Sequence, residues 1–499
     1  MAEQQRHVVI IGGGLAGLSA GCYARASGFR ATIIEHNLAL GGVCTAWRRG
    51  PYLIDGCIHW LTGGPFLRVY EELGVLQRLR LRPLQHYATF RDERDGLEIA
   101  ITADLPAFAR ALELVAREDR DELDRIVEGA HAVAAMAPPL DRPQELYTLR
   151  DGLGMLWNLR HELPTFVHFR KPMADYAREH LRNARLRHIL TRLVPEEAPA
   201  LVLLMILGYL QRGWLSRPEG GTLAFRDALI ESYHGLGGEA RLHSTVDEVL
   251  VEGGRARGVR LGDGSFVEAD AVICTASAPE TLFRLLGGRY GADEMRRRMA
   301  EWKMFPPIVL ASYGLATPLA GAPQILHLDG IEPLEVGGRR NETLYLRIYN
   351  DDPSFAPPGH TVLQALLTTD YGWWATRGSN YVAEKDALGE AILTALDRYL
   401  PGVQAALRVV DLATPLTFWN MARSWRGAYE GWLPNADALF GHVRKQLDGL
   451  SGFYMAGQWV EPGGGVPTAC ASGRAAVQLL CADEKRAFEI PHRAGLPGG

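Results

Sequence analysis

The sequence has few of the features that mark metal-binding, disulfide-linked or nucleic-acid-binding proteins. Its cysteines form no Cys-x-x-Cys pair and have no metal-type spacing to a histidine, so we expect no metal site and interpret them as reduced residues of a cytoplasmic protein. The net charge is only −5, from 53 basic and 58 acidic residues, so no nucleic-acid partner is expected. The cysteines are Cys22, Cys44, Cys57, Cys274, Cys470 and Cys481.

Long apolar segments are also absent. The longest uncharged run, residues 198–211, contains Pro199 and Gly208 and falls short of the about 20 residues that span a bilayer. We interpret it as a buried helix under a substrate site, with a monotopic membrane contact as the alternative. Residues 155–173 mix aromatic and basic side chains as interfacial helices do, so a peripheral membrane contact is also expected.

The start of the chain contains a glycine-rich turn between an apolar strand and a helix. Residues 7–11 (HVVII) form a continuous apolar run that leads into Gly12, Gly14 and Gly17. This is the GxGxxG spacing of a dinucleotide-binding turn. The glycines allow a tight turn, close approach of a pyrophosphate and close packing of the next helix, whose first N–H groups face the phosphates.

The next strand adds an acidic residue at its end. Residues 31–34 are apolar and are followed by Glu35. An acid at this place can accept hydrogen bonds from both ribose hydroxyls of an adenosine, and it would repel a 2′-phosphate. The alternative is an ordinary surface glutamate. The helix between the two strands stops at Gly28, which supports the dinucleotide interpretation.

A second glycine pair, Gly41 and Gly42, precedes another short strand, residues 52–55. This order resembles the N-terminus of the FAD-dependent amine oxidase and phytoene desaturase superfamily. Residues 41–64 (GGVCTAWRRGPYLIDGCIHWLTGG) are similar in particular to its phytoene desaturase-related branch of carotenoid desaturases, carotenoid isomerases and retinol saturase-like proteins. Many relatives have an arginine after the second glycine pair, where this chain has Val43.

The resemblance implies an α/β fold with several segments. It consists of a Rossmann-type FAD-binding domain of the GR2-like, amine oxidase kind, a discontinuous substrate domain and a helix-rich insertion. The expected segments are residues 1–85, 216–300 and 449–484 for the FAD-binding domain, 86–215 for a helix-rich insertion facing substrate and membrane, 301–448 for the substrate-binding domain, and 485–499 for a disordered tail.

A third glycine-rich segment lies near the C-terminus, where an apolar strand runs into Gly457 and then into residues 463–468. In the family that the chain resembles, this loop and the following helix start lie beneath the flavin, with N–H groups directed at the pyrimidine end of the ring. Many relatives have an acid after the strand glycine, where this chain has Gln458. The resemblance also places the backbone of Val246 against adenine, with plain β-structure as the alternative.

FAD is therefore the expected cofactor. Its binding residues are expected to come from all three glycine-rich segments and from the strand that contacts adenine. They are Gly12, Gly14, Leu15, Ala16, Gly17, Glu35, His36, Gly41, Gly42, Val43, His59, Trp60, Val246, Gly457, Gln458, Gly465, Val466, Pro467 and Thr468.

Hydride transfer to a flavin needs a positioned C–H bond and a dry site, so no catalytic triad is expected. By family position, the side chains nearest the ring are His59, Trp60 and Glu461. His59 could act as an acid or a base near neutral pH, with a hydrogen-bonded structural histidine as the alternative. Lys303 precedes a predicted strand much as the flavin-facing lysine of amine oxidases does, and a surface lysine is the alternative.

Three functions compete. The leading one is transfer of hydride between FAD and a hydrophobic alkene, such as a carotenoid or other isoprenoid, by a desaturase, saturase or isomerase. The second is an amine oxidase using oxygen, with Trp419, Trp425 and Trp432 as candidates for an aromatic cage. The third is a non-catalytic lipid- or flavin-binding protein. Scattered arginines that could converge in space on a phosphate or carboxylate include Arg347, Arg423 and Arg426.

Overall fold

The computed structural model describes residues 5–136, 140–434 and 441–492. Runs of strands and runs of helices follow one another along this part of the chain. The strands are β1 (His7–Ile11), β2 (Arg30–Ile34), β3 (Ala46–Arg49), β4 (Tyr52–Asp55), β5 (Leu61–Thr62), β6 (Leu81–Pro83), β7 (His86–Asp92), β8 (Leu97–Thr102), β9 (Leu215–Pro218), β10 (Glu239–Arg241), β11 (Val246–Glu252), β12 (Arg255–Leu261), β13 (Phe266–Glu268), β14 (Ala271–Cys274), β15 (Ile308–Leu315), β16 (Ile325–Val336), β17 (Arg339–Tyr349), β18 (Thr361–Thr368), β19 (Leu407–Ala413) and β20 (Phe453–Met455).

The helices fall into an N-terminal helix, a central group and several that return to the cofactor-binding sheet. A π-helical segment, Glu280–Leu285, follows β14. The α-helices are α1 (Leu15–Ala26), α2 (Leu67–Glu72), α3 (Leu105–Glu113), α4 (Arg120–Ala135), α5 (Leu149–Asn158), α6 (Leu163–Phe169), α7 (Met173–His180), α8 (Ala184–Leu193), α9 (Leu201–Gln211), α10 (Gly221–Gly235), α11 (Ala292–Glu301), α12 (Tyr371–Ala375), α13 (Tyr381–Tyr399), α14 (Pro415–Ala422) and α15 (Gly465–Asp483).

The N-terminal strand lies at the centre of a parallel sheet with the order β10-β2-β1-β14-β20. Val9 of β1 pairs with Thr32 on one side and with Val272 on the other. β1 is buried along most of its length because apolar side chains occupy both of its faces, as in sheets covered on both sides. This sheet confirms the expected Rossmann-type α/β fold. Its strands come from three distant parts of the chain.

Helices α1, α10 and α15 pack together over one face of this sheet. Their close approach depends on two glycines. A Cβ on Gly21 of α1 would overlap the ring of Tyr233 in α10, and a Cβ on Gly473 of α15 would lie 2.5 Å from the carbonyl oxygen of Ala16. The antiparallel strands β11, β12 and β13 share the core on the opposite face.

A seven-stranded mixed sheet forms the second layer, with the order β19-β15-β18-β17-β16-β7-β8. Leu326 of β16 pairs in parallel with Thr89 of β7, so residues 86–102 belong to this sheet. The expectation that residues 86–215 are helix-rich is wrong for this first part. The alternation of buried and exposed residues in β8 was the available strand signal, and it is too short to stand out beside the helical pattern that follows.

Helices α3, α4 and α6 to α9 pack with β7 and β8 in a second apolar core. Helix α9 is buried along most of its length, which confirms the interpretation of residues 198–211 as a buried helix. No helix in the described residues is both long and apolar enough to cross a membrane.

The segment after α15 corrects the expectation of a disordered tail for residues 485–492. The Phe488 ring stacks on Tyr23 of α1, with centroids 5.4 Å apart. The backbone N–H of Glu489 donates to Ser27 at 3.1 Å, and that of His492 donates to the Glu72 carbonyl at 3.1 Å. These contacts fix the segment because the aromatic side chain of Phe488 is partly buried there, a signal that charge and proline content concealed. Residues 493–499 lie outside the described residues.

Candidate cofactor and active site

A large cleft lies where β1, β2, β14 and β20 end. In open α/β sheets, ligands bind beyond these carboxyl ends. Among the described residues, Gly17, His59, Pro467 and Thr468 are predicted cofactor residues that do not line the cleft. The predicted residues that do line it are Gly12, Gly14, Leu15, Ala16, Glu35, His36, Gly41, Gly42, Val43, Trp60, Val246, Gly457, Gln458, Gly465 and Val466.

The three glycines of the first turn have different surroundings. Gly12 has φ +96°, and a Cβ there would lie 2.6 Å from Thr275 Oγ1. A Cβ on Gly17 would overlap the Gly12 carbonyl oxygen, so Gly17 serves the packing of the turn against α1. A Cβ on Gly14 would meet no protein atom closer than 3.9 Å. Gly14 therefore keeps open a space that belongs to a ligand.

The Glu35 carboxylate is buried at the end of β2 and is held by the turn itself. Its two oxygens accept from the backbone N–H groups of Gly13 at 2.7 Å and Asn37 at 2.8 Å, and His36 Nδ1 lies 2.8 Å away. Burial raises the pKa of Glu35, but the hydrogen bonds from His36, Asn37 and Gly13 outweigh it and bring the pKa below its usual value. Glu35 is therefore ionised at neutral pH.

The second glycine pair lies directly against the first turn. Gly41 N–H donates to the Gly13 carbonyl at 2.8 Å, and Gly14 and Gly41 form a parallel bridge. A Cβ on Gly42 would lie 3.1 Å from the Cα of Gly14. The two turns form one continuous wall of the cleft because neither has a side chain that would separate them.

Two helix N-termini open toward the cleft. Helix α1 begins after Gly14 and helix α15 after Gly464, and no described side chain caps either end. The first N–H groups of each helix are thus free to donate to a ligand, and the helix dipole favours negative charge there. Gly457 precedes α15 at the end of β20, and its N–H donates to Ser472 at 2.8 Å.

A third wall comes from the start of β11 and the π-helical segment. Ser244, Thr245 and Val246 line it, and the Val246 carbonyl accepts from Arg284 at 3.1 Å. Arg284 and Glu280 project from the π-helical segment, a type of helix that is frequent at functional sites. Sequence reasoning found Val246 but missed this segment. The available signal was that residues 275–277 follow directly after a predicted buried strand, as ligand-binding loops do.

His59 lies behind the cleft wall, between the rings of Tyr345 and Tyr429, with centroids 6.1 and 6.3 Å from its own. Its Nε2 is buried and has no hydrogen-bond partner among the described residues. Burial, together with the positive charge of Arg347, lowers the pKa of His59 to about 3. His59 is therefore neutral at physiological pH and cannot supply a proton as imidazolium.

The other two catalytic candidates are not brought to the cleft. Glu461 is partly exposed and pairs with the buried ammonium of Lys445 at 2.7 Å. Lys303 is exposed and lies 3.4 Å from Glu197. Neither residue is among the described residues that line the cleft. For Lys303, the structure agrees with the alternative of a surface lysine.

The described chain matches one family over most of its length. The sequence model of flavin-containing amine oxidoreductases matches residues 15–481. The chain belongs to this family. It is 24% identical to a neurosporene-forming phytoene desaturase of Rhodobacter capsulatus, over 96% of this chain and 94% of that one. It is 25% identical to an all-trans-zeta-carotene desaturase of Myxococcus xanthus, over 95% and 93%.

Other similarities of this flavin-dependent oxidoreductase are partial or structural. A lycopene-forming phytoene desaturase of Pseudescherichia vulneris is 26% identical, over 55% of this chain and 58% of that one. A putrescine oxidase has a TM-score of 0.63 at 16% identity, with 96% of this chain and 99% of that one covered. An oxidoreductase of Methanosarcina mazei has a TM-score of 0.62 at 17% identity, over 95% and 100%. At these identities the solved structures show a shared fold.

FAD, the cofactor of this flavoenzyme, fits the cleft. The space at Gly14 and the uncapped starts of α1 and α15 suit a ligand with phosphates in its middle. Glu35 lies on the wall of the cleft formed by the end of β2, and Gln458 lies on the wall formed by the segment between β20 and α15. Sequence and structure therefore agree on the glycine-rich walls that would hold the cofactor.

Besides Glu280, the cleft of this flavoenzyme is lined by a second acid that sequence reasoning missed, Glu430. Burial raises the pKa of Glu430 to about 7, so this side chain can hold or release a proton near neutral pH. Its neighbour Tyr429 donates to the Cys57 carbonyl at 2.5 Å. Glycines flank the pair in sequence: a Cβ on Gly427 would overlap the carbonyl of Pro415, and one on Gly431 that of Gln458. The two glycines that flank the pair were the signal available in the sequence.

Proposed function

We propose that this flavoenzyme transfers hydride between FAD and a carbon–carbon bond of a hydrophobic isoprenoid alkene, as a desaturase, saturase or isomerase. One observation carries the proposal: over more than nine-tenths of the chain, its relatives are a phytoene desaturase and a zeta-carotene desaturase. The structure supports it, because Trp60 lines the cleft and packs edge-on against Tyr87 of the second sheet, 5.9 Å away. The apolar insertion thus adjoins the cofactor cleft.

Bound FAD supplies the two-electron acceptor or donor for this reaction. Gly14 and the start of α1 leave room and N–H donors for a pyrophosphate, and Glu35 would accept from ribose hydroxyls. The start of α15 would place N–H donors at the other end of the cofactor. Neutral His59 and its aromatic neighbours keep water out of the region behind the cleft, which hydride transfer requires.

The residues around the cleft do not favour an amine oxidase. Among the described lining residues, none is Trp419, Trp425 or Trp432, the candidates for an aromatic cage. Trp432 is buried, and its indole N–H donates to the Trp459 carbonyl at 3.1 Å, so it serves the core below the cleft. Lys303, the candidate for a flavin-facing lysine, is exposed.

The test is anaerobic. FAD-loaded protein, oxidised in one sample and reduced with dithionite in another, is mixed with isoprenoid alkenes in liposomes, and the flavin absorbance is followed. We expect bleaching of the oxidised sample by a substrate of desaturation, or reoxidation of the reduced sample by a substrate of saturation. Lipid extracts from both mixtures identify the product. A flavin that ignores every alkene and is rapidly reduced by an amine would assign the protein to the amine oxidases instead.

We further propose that the protein is cytoplasmic and contacts a membrane surface through α5 and α6. Four apolar side chains of these helices are exposed, Leu149 by 91%, Trp157 by 68%, Leu163 by 52% and Val167 by 53%. Arg160 lies over the Trp157 ring, 4.5 Å from its centroid, so that aromatic and basic groups are interleaved as in interfacial helices. A substrate dissolved in lipid would enter from such a surface.

Sedimentation with vesicles of anionic phospholipid tests this contact. The double variant Trp157→Glu, Leu163→Glu places two charges on the exposed face and is expected to lose vesicle binding while its flavin spectrum stays unchanged. Phe266→Glu, at an exposed phenylalanine of β13, is the matched control. Equal vesicle binding by all three proteins would contradict the proposal.

A further inference from the structure

One face of β17 carries polar side chains toward the FAD-binding domain. Tyr345, Arg347 and Tyr349 alternate along this strand and therefore share a face. Gln364 of β18 is the cross-strand neighbour of Arg347, and its amide donates to the Asp55 carbonyl at 2.8 Å. This face is thus packed against the segment that leads from β4 to His59.

The guanidinium of Arg347 lies in this contact without a partner. The residue is 1% exposed, and none of its three side-chain nitrogens has a hydrogen-bond partner among the described residues. Its Cζ lies 4.9 Å from the centroid of the Tyr349 ring, and the Tyr349 hydroxyl donates to Gln364 at 3.0 Å. A buried charge without hydrogen bonds is costly, so it needs an explanation.

The nearby carboxylates are already engaged, except that the buried Oδ1 of Asp351 has no partner among the described residues. Asp55 accepts from the hydroxyl and the N–H of Thr222, at 2.5 and 2.9 Å, and from Cys57 N–H at 3.0 Å. Asp351 pairs with Arg217. Arg347 acts on Arg217 through space: burial and then the charge of Arg347 lower the pKa of Arg217 to about 10. The five donors of Arg347 therefore remain free for a ligand.

The position of Arg347 connects it with the cofactor cleft. Arg347 and Ile58 both line a much smaller cavity, and Ile58 also lines the cofactor cleft. His59 follows Ile58, and its buried Nε2 is likewise unpartnered among the described residues. A neutral imidazole can donate one hydrogen bond from this atom, so two unpartnered polar side chains lie beside the cleft wall.

We propose that Arg347 binds the carboxylate of the substrate, which is accordingly an unsaturated isoprenoid acid rather than a pure hydrocarbon. This inference rests on the proposed function and names the substrate class of the same site. A planar guanidinium matches a carboxylate with two parallel N–H···O bonds, and His59 can add a third donor. A phosphate would bring a second negative charge next to buried Asp55, so a singly charged carboxylate suits the site better.

The test compares an acid with its neutral derivative. FAD-loaded protein is titrated with all-trans-retinoic acid, with its methyl ester and with phytoene, and the change in the flavin spectrum gives each affinity. The variants are Arg347→Gln, Arg347→Lys and, as a matched control on an exposed residue of the same strand, Arg340→Gln. We expect the wild type and Arg340→Gln to bind the acid at least about tenfold more tightly than the ester.

Arg347→Gln is expected to abolish this preference and Arg347→Lys to retain part of it, because lysine keeps the charge and loses the bidentate geometry. The inference is overturned if the wild type binds acid and ester equally. It is also overturned if Arg347→Gln changes only the thermal stability and keeps the preference for the acid. That second result is expected if Arg347 serves only to neutralise the charge of Asp55. If Arg347→Gln does not fold, the comparison of acid and ester binding by the wild type and by Arg347→Lys still tests the inference.

The anaerobic flavin assay separates the two failures. If phytoene changes the redox state of the flavin and the acid neither binds nor reacts, the carboxylate inference is wrong and the proposed function stands. If no alkene reacts and only an amine reduces the flavin, the proposed function is wrong as well.

Discussion

Replacing Glu430 by glutamine tests whether the cleft imposes a large cost on a negative charge. Glutamine keeps the size and shape of the side chain and removes its titration. Burial raises the pKa of Glu430 from its ordinary value of 4.5 to about 7. A tenfold change in an acid dissociation constant corresponds to about 1.4 kcal/mol, so the full difference is about 3 kcal/mol. Because the side chain faces an open cleft, solvent screening reduces the expected effect to about 1–3 kcal/mol.

The sign of the effect follows from proton linkage. The native protein binds the proton of Glu430 more tightly than the unfolded chain does, so this group favours the native state below pH 4.5. That contribution is lost as the pH rises through about 7. At pH 8 Glu430 is ionised in the wild type, and the free energy of unfolding is lowered by the full cost of its charge. Glu430→Gln has no such charge and is not destabilised in this way.

The assay is thermal unfolding of the protein after removal of flavin, between pH 5 and pH 8. We expect Glu430→Gln and the wild type to have similar apparent Tm values at pH 5 and the variant to be roughly 2–5 °C more stable at pH 8. The exposed glutamate of Glu390→Gln, on α13, provides the control and should give a difference that does not vary with pH. A Glu430→Gln difference that is flat or falls with rising pH would refute the reasoning.

Three further predictions concern the glycine turn, the cysteines and a buried ion pair. Gly14→Ala should fold, with the apparent Tm of flavin-free wild type, and should lose FAD. Gly17→Ala should lose soluble protein, because only the Cβ at position 17 would overlap a protein atom. Equal FAD content in Gly14→Ala and wild type would contradict this. Acid precipitation should release all the flavin, because the thiols of Cys470 and Cys57 are protonated and unreactive. Burial raises the pKa of Cys470, and a hydrogen bond with Cys44 together with burial raises the pKa of Cys57. Flavin in the pellet would disprove this prediction. Arg474→Met should destabilise the protein by about 3–5 kcal/mol in urea unfolding, because Glu72, 2.8 Å from Arg474 Nε, loses its buried partner. A midpoint equal to that of the wild type would show that the second partner of Glu72, Arg68, is sufficient.

The cofactor turn could be predicted from sequence because its requirements are local. Gly12, Gly14 and Glu35 act through backbone geometry and through contacts within a few dozen residues, and the structure places all three at the cleft. Lys303 and Glu461 were assigned by family position, which depends on how distant segments meet. The structure places both outside the described cleft lining.

Glu430 and Arg347 show the opposite case. Neither lies in a recognisable motif, and their surroundings come from segments hundreds of residues away in the chain. Arg347 was noted only as one of several scattered arginines, and nothing in the sequence of β17 indicates that its guanidinium is buried with no partner among the described residues. Such features arise from tertiary packing, which local patterns do not encode.

The order of strands in the parallel sheet affects how the protein is made. β1 and β2 leave the ribosome first, whereas their sheet is completed by β20, which begins at Phe453. At about 5–20 residues per second, the first strands wait roughly 20 seconds to a minute and a half for the last one. Until β20 is made, the edge of β14 that pairs with it is exposed. A chain that stops before β20 carries the glycine turn without the α15 wall of the cleft. Cofactor loading is thus a late event in biogenesis, and interrupted synthesis yields an aggregation-prone fragment.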